Sequence, residues 1–315
     1  MMKVNEKERL NKMNQVLYNK LVEIVTAEKV LTNEPMKKHT TFRIGGEADF
    51  FAVPTTKEEV KAIVAVCKEL QVPYYILGNG SNLLVSDEGY RGVIIQLYKE
   101  MSEIRVDGDV IRAQAGASLA KIANTALAAE LTGFEFAAGI PGTIGGACVM
   151  NAGAYGGEMK DVLVEVTVLT QDGEIVTLLN SELELGYRTS VIAKKDYIVL
   201  EAVIRLQPGK AEEIKAIMDD LKEKRVSKQP LEFPSAGSTF KRPEGYFAGK
   251  LIQDAGLRGF AVGGAQVSEK HCGFVINAGG ATAKDVNELM KQVSAKVEEQ
   301  FGVVLEPEVK RLGEF

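Results

Sequence analysis

The chain has 315 residues, room for about two domains or three small ones, and its 45% hydrophobic and 26% charged residues describe a globular protein with a sizeable core. Lys and Arg total 38 against 43 Asp and Glu, a net charge of -5 that offers no bulk basic footprint for nucleic acid. Three cysteines without a C-x-x-C pair and two histidines are too few for a disulfide framework or a thiolate zinc site, so no metal is expected. The spacing of Leu10, Met13, Leu17, Leu21 and Ile24 predicts an amphipathic outer helix over residues 5–28. A second helix is expected over Lys57–Leu70, then an apolar strand Val72–Leu77 ending in Gly78-Asn79-Gly80-Ser81-Asn82, the outline of one β-α-β unit. Short β-runs follow at Leu83–Val85, Val93–Leu97, Ile104–Val106 and Val110–Ala113, with Asp107-Gly108 read as a hairpin turn. A helix over Leu119–Glu130 leads into a glycine-rich run, Gly139–Gly157. Strands Val162–Leu169 and Ile175–Leu178 flank a Gln171-Asp172-Gly173 turn, and Tyr197–Leu206 ends at Pro208-Gly209, where a linker is expected. A helix over Ala211–Arg225 and a second glycine-rich region precede a closing helix. Thr282-x-x-Asp285 opens that helix as a capping box, with Val286, Leu289, Val293 and Val297 on one face.

Glycine is unevenly placed. Residues 1–44 contain none of the 31, whereas Gly139–Gly157 holds seven and residues 237–280 hold ten. Such density suits backbone that must approach a ligand closely. Residues 136–157 also carry no charge, but their glycines, Pro141 and Asn151 argue against a membrane span. The charged amino terminus lacks an apolar signal core, so a cytoplasmic protein is expected. A Walker A loop fails because Gly209-Lys210 and Gly249-Lys250 are followed by Ala and Leu. A Rossmann fingerprint fails because Leu83 stands where a third glycine belongs. Phosphate binding by successive backbone amides remains open to both glycine loops.

The stretches LGNGSNLLVSDEGYRGVII, GIPGTIGGACVMNAGAYG, GYRTS, PSAGSTFKRP and LEPEVK occur in that order. With them the chain closely resembles the UDP-N-acetylenolpyruvoylglucosamine reductase family, in its shorter form, from about His39 to Lys310. The resemblance implies an α+β protein: an FAD-binding fold of the vanillyl-alcohol-oxidase type built from two α/β subdomains, plus a third, α+β substrate domain. The expected divisions are 1–72 with 304–315, 73–208, and 209–303. It further implies bound FAD, NADPH as co-substrate, and a UDP-sugar enolpyruvyl ether as the substrate reduced in peptidoglycan precursor synthesis. Gly78, Asn79, Gly80, Ser81 and Asn82 would hold the cofactor pyrophosphate together with Gly142, Thr143, Gly145 and Gly146, with Asn151, Gly153 and Ala154 near the flavin. Arg188 would hold the substrate carboxylate, Ser238 would deliver a proton, and Glu308, placed directly before Val309, would complete the site. Tyr187, Arg225 and Lys228 are the expected substrate contacts. Like-charge repulsion from the substrate carboxylate would favour a protonated Glu308. The longer form of the family carries an extra substrate-covering loop with a tyrosine, which this chain lacks. The competing expectation is an FAD-dependent sugar or alcohol oxidase of the same fold.

Overall fold

The computed structural model describes residues 2–315, with side chains from residue 12 onward. The chain forms two compact units. The first comprises residues up to 34, 49–78 and 92–221; the second comprises 35–48, 79–91 and 222–315. The chain therefore changes unit at 34/35, 48/49, 78/79, 91/92 and 221/222, against sequence divisions expected after residues 72, 208 and 303.

In the first unit, helix α1 (Met2–Val25) buries Leu17 and Leu21, as the apolar spacing predicts, and also Val25, which lies outside that pattern, while Ile24 is half-buried and Met13 stays exposed. Leu10 of that pattern lies outside the described side chains. Helix α2 (Lys57–Glu69) starts where the Thr56 hydroxyl accepts the Glu59 N–H at 3.1 Å, and it buries Val60, Ile63, Val64 and Cys67. A four-stranded sheet has the order Val30–Pro35, Glu47–Ala52, Tyr90–Gln96, Tyr74–Leu77, its last pair parallel. The β-α-β expectation meets a modification here, because Tyr90–Gln96 inserts between the two strands that α2 connects.

The second sheet of this unit is antiparallel, in the order Ile175–Leu179, Leu163–Leu169, Ile198–Arg205, Val110–Gln114, Ile104–Asp107. Asp107 pairs with Val110, so the two-residue turn is Gly108-Asp109 rather than Asp107-Gly108, with Gly108 at φ +59°. Helix α3 (Leu119–Ala128) buries Leu119, Ile122, Ala123 and Ala126. Inside the glycine run the chain forms a short helix, α4 (Ile144–Met150), and Pro141 precedes it, where it breaks no helical hydrogen bond. Helices α5 (Val191–Lys194) and α6 (Ala211–Lys228) follow. Helix α6 buries only Ile214, a polar helix passing from one unit into the other.

In the second unit an antiparallel sheet has the order Ser235–Ser238, Phe274–Asn277, Ala265–Val267, Ala261–Val262. Helices α7 (Ala248–Asp254) and α8 (Ala283–Phe301) complete its core. Helix α8 has the predicted capping box, and Val286, Leu289, Val293 and Val297 are buried. Lys310–Leu312 pairs in parallel with Leu83–Val85, which brings the carboxy-terminal segment beside the strand that follows Asn82.

Candidate active site

Helix α4 emerges from a glycine-rich sequence because Thr143, extended and buried, caps it through its hydroxyl, which accepts the Gly146 N–H at 3.4 Å. Most amides of this run already serve the fold. Ile144 N–H donates to Ala117 O and Gly145 N–H to Ala115 O, each at 2.9 Å, and Gly142 N–H donates to Ile140 O at 2.9 Å. The adjacent glycines of α4 then divide in purpose. A Cβ on Gly145 would sit 2.9 Å from Ala115 O and 3.0 Å from Ala115 Cβ, so packing requires this glycine. A Cβ on Gly146 would meet nothing nearer than Thr143 Oγ1 at 3.8 Å. No protein atom accounts for Gly146, and it faces a cavity of about 390 Å³ lined also by Tyr75, Gly78, Ala115, Thr143 and Val199. The cavity is mostly apolar in its walls, and burial pushes the Tyr75 phenol up to about 12.

The other end of α4 is tied to the GYRTS segment. Asn151, fully buried at φ +45°, donates from Nδ2 to Glu158 Oε2 at 2.7 Å and to Gly186 O at 3.2 Å, while its Oδ1 accepts the Lys160 N–H at 2.9 Å. The buried Ser190 hydroxyl donates to Val149 O at 2.6 Å. Between these anchors Gly186 and Thr189 exchange backbone hydrogen bonds of 3.1 and 3.3 Å, leaving Tyr187 and Arg188 at the tip of a tight hairpin. Arg188 has a left-handed φ of +54°, and its guanidinium carbon lies 5.2 Å from the Tyr187 ring centre. Strained non-glycine backbone held by surrounding hydrogen bonds is typical of sites where a side chain must be aimed. Gly153 and Ala154 form a short strand paired with Gly157-Glu158.

In the second unit three of the sequence motifs meet. Asn82 donates from Nδ2 to Glu308 O at 3.3 Å and accepts the Lys310 N–H on its backbone carbonyl at 3.0 Å. Glu308 N–H donates to Thr239 O at 2.8 Å, Lys241 N–H donates to Glu306 O at 2.8 Å, and the Lys241 ammonium pairs with the Glu306 carboxylate. Ser238 therefore lies one residue from a backbone link to Glu308. Between Ser235 and Ser238 the strand slips register at Gly237, φ +75°, and this bulge leaves Ser238 exposed between buried neighbours Ala236 and Thr239. Asn82 Oδ1 is buried and has no hydrogen-bond partner. Among the described residues the N–H groups of Gly80 and Ser81 donate to no protein acceptor, in contrast to those of Ile144 and Gly145. Arg225 is half-buried and Lys228 exposed near the carboxy-terminal end of α6.

Sequence reasoning missed Tyr75, Ala115 and Val199 in the cavity wall, and Glu158 as the partner that fixes Asn151. The wall residues come from separate strands and the turn after one of them, and no local pattern marks them. The Glu158 signal was available, since an acid shortly after a buried polar residue in a charge-free run needs a reason.

Compared with known proteins, residues 48–179 match an FAD binding domain and residues 229–312 match the carboxy-terminal domain of UDP-N-acetylenolpyruvoylglucosamine reductase. The reductase of that name from Agathobacter rectalis is 56% identical over 315 residues, covering 96% of this chain and all of the relative. Its counterpart from Caldanaerobacter subterraneus is 54% identical over 302 residues, with 96% and 100% coverage. The crystal structure of the Thermus caldophilus enzyme aligns with a TM-score of 0.76 at 37% identity, over 89% of this chain and 98% of that one. The chain belongs to the UDP-N-acetylenolpyruvoylglucosamine reductase family.

Proposed function

We propose that this protein reduces UDP-N-acetylglucosamine enolpyruvate to UDP-N-acetylmuramate with NADPH through bound FAD, a cytoplasmic step of peptidoglycan precursor synthesis. The observation that carries the reading is near-full-length identity above 50% to reductases of that name, with Arg188, Ser238 and Glu308 standing in their motifs. The residues present fit FAD. Gly146 opens its backbone onto a cavity that no protein atom requires to be open, and the buried Asn82 Oδ1 awaits a donor. The uncommitted amides of Gly80 and Ser81, with Thr143 and Gly146, are the groups for the pyrophosphate, Gly78, Asn79, Gly142 and Gly145 shaping the loops that carry them. Asn151, Gly153 and Ala154 are assigned to the flavin end. The functional division into two FAD subdomains and a substrate domain belongs to the same proposal.

Bound FAD would supply the hydride-transfer chemistry between NADPH and the terminal carbon of the enolpyruvyl group. The chain's own residues then manage charge and proton. Hydride addition leaves negative charge on the neighbouring carbon and its carboxylate, and a fixed, permanently charged guanidinium on the Arg188 hairpin is suited to holding it. Ser238 Oγ gives its proton to that carbon. An ordinary hydroxyl is a weak acid, so the step depends on the basicity of the carbanion it meets. Glu308 completes the acid–base set, and Tyr187, Arg225 and Lys228 contact the substrate. With Ser238→Ala, flavin reduction by NADPH should stay within about twofold of wild type, and reoxidation by substrate should slow by about 10²- to 10⁴-fold. Stopped-flow absorbance separates the two halves; equal loss in both would remove Ser238 from the proton-donor role.

A further inference from the structure

One margin of the cavity beside α4 is closed by side chains to which the reaction assigns no role. Gln171 stands on the hairpin between the Leu163–Leu169 and Ile175–Leu179 strands, where Thr170 N–H donates to Glu174 O at 2.8 Å and Gly173 N–H to Thr170 O at 3.1 Å, so its backbone is set by the sheet. From there it reaches two other elements. Lys68, at the carboxy-terminal end of α2, donates from Nζ to the Gln171 backbone carbonyl and, at 3.2 Å, to Gln171 Oε1. Gln171 Nε2 donates to Asp196 O. Asp196 holds a left-handed φ of +50° just before the Ile198–Arg205 strand. Tyr74, Gln171 and Asp196 line the same cavity as Gly146.

An exposed glutamine on a hairpin tip gains little by being ordered, because immobilising its rotamers costs entropy and surface hydrogen bonds return little net stability. Here one such residue is held at both ends of its amide by two separate elements, and that ordering falls at the edge of one cavity. A strap made of side chains also differs from a wall of backbone, since it opens by rotation of one residue.

We propose that Gln171, gripped by Lys68 and the Asp196 carbonyl, is a side-chain strap at the cavity mouth that governs how fast bound FAD leaves, which makes Gln171 a positioning residue for the cofactor. The proposal rests on the assignment of FAD to this cavity. Gln171→Ala removes two of the strap's hydrogen bonds, the one from Lys68 to Oε1 and the one from Nε2 to Asp196 O, and leaves the backbone grip. Two such bonds correspond to about a tenfold change in rate.

The test loads the holoprotein with FAD and follows release as recovered flavin fluorescence in the presence of a flavin-trapping apoprotein. Gln171→Ala should release FAD about tenfold faster than wild type, and Lys68→Met should release it faster by a smaller factor. The double variant should release FAD more slowly than the product of the two single effects, because both changes break the bond from Lys68 to Gln171 Oε1. The thermal midpoint of the apoprotein should stay within about 2 °C of wild type in each variant, as expected for exposed side chains. Release at the wild-type rate from Gln171→Ala, or multiplicative effects in the double variant, would overturn the strap. Gly146→Val separates the two levels of the argument. If it still takes up FAD with wild-type affinity, the cavity assignment fails and the strap with it; if it loses FAD while Gln171→Ala releases normally, the strap alone is wrong.

Discussion

The neighbouring glycines of α4 make opposite predictions for one and the same substitution. At Gly146 a methyl group enters open space, so Gly146→Ala should stabilise the apoprotein by up to about 1 kcal/mol through helix propensity. With FAD in this cavity, as proposed, the same methyl group would stand in the cofactor's way, and overpacking of about 1–3 kcal/mol should weaken FAD binding about 5- to 150-fold. At Gly145 the methyl group lands 2.9 Å from Ala115 O, and the strand behind it must shift. The overpacking there, again about 1–3 kcal/mol, cancels or exceeds the propensity gain, so Gly145→Ala should leave the apoprotein no more stable than wild type and less so by up to about 2 kcal/mol. Urea unfolding of the apoprotein and fluorescence titration with FAD measure the two effects independently. The reasoning is refuted if Gly146→Ala binds FAD as wild type does, or if it destabilises the apoprotein as Gly145→Ala does.

Asn151→Ala should cost about 3 kcal/mol in urea unfolding, because it leaves three partners of a fully buried side chain unmatched and places alanine at φ +45°. Asn151→Gly should recover about 1 kcal/mol of that loss, and equal values for the two variants would contradict the left-handed contribution. The Asp285 carboxylate is held below its ordinary value of 3.8, chiefly by the Thr282 backbone N–H and also by the Thr282 hydroxyl side chain and the Gly264 N–H. A depressed folded-state value contributes stability that is present above the unfolded value and lost as pH falls through the folded one. The stability gap between wild type and Asp285→Asn should therefore be constant from pH 6 to 8 and shrink below about pH 4, as read by denaturant melts across pH.

Helices with a clean apolar period were legible from the chain. Helix α8 begins at the capping residue and buries the face that its spacing names, and α2, expected over Lys57–Leu70, forms over Lys57–Glu69. Helix α4 was hidden because glycine lowers helix propensity, and its one local signal was the capping Thr143. Glycine density also has a packing cause. Gly145 packs against Ala115, and a Cβ on Gly157 would strike the Phe136 ring at 2.7 Å, so part of the cluster serves close packing inside the first unit. The motifs themselves name Arg188, Ser238 and Glu308, but the contacts that hold these residues are tertiary. Asn151 anchors the Arg188 hairpin through Gly186, and Thr239 links Ser238 to Glu308, contacts between residues far apart in sequence that no local pattern reports. The same holds for the cavity wall, whose residues are contributed by separate strands and turns.

The central claim is that one protein-bound FAD passes reducing equivalents from NADPH to the enolpyruvyl ether. An anaerobic titration of the purified holoprotein tests it directly: one equivalent of NADPH should bleach the flavin absorbance, and one equivalent of UDP-N-acetylglucosamine enolpyruvate should then restore it with formation of UDP-N-acetylmuramate. A bleached flavin that only oxygen restores would contradict the account and favour an oxidase.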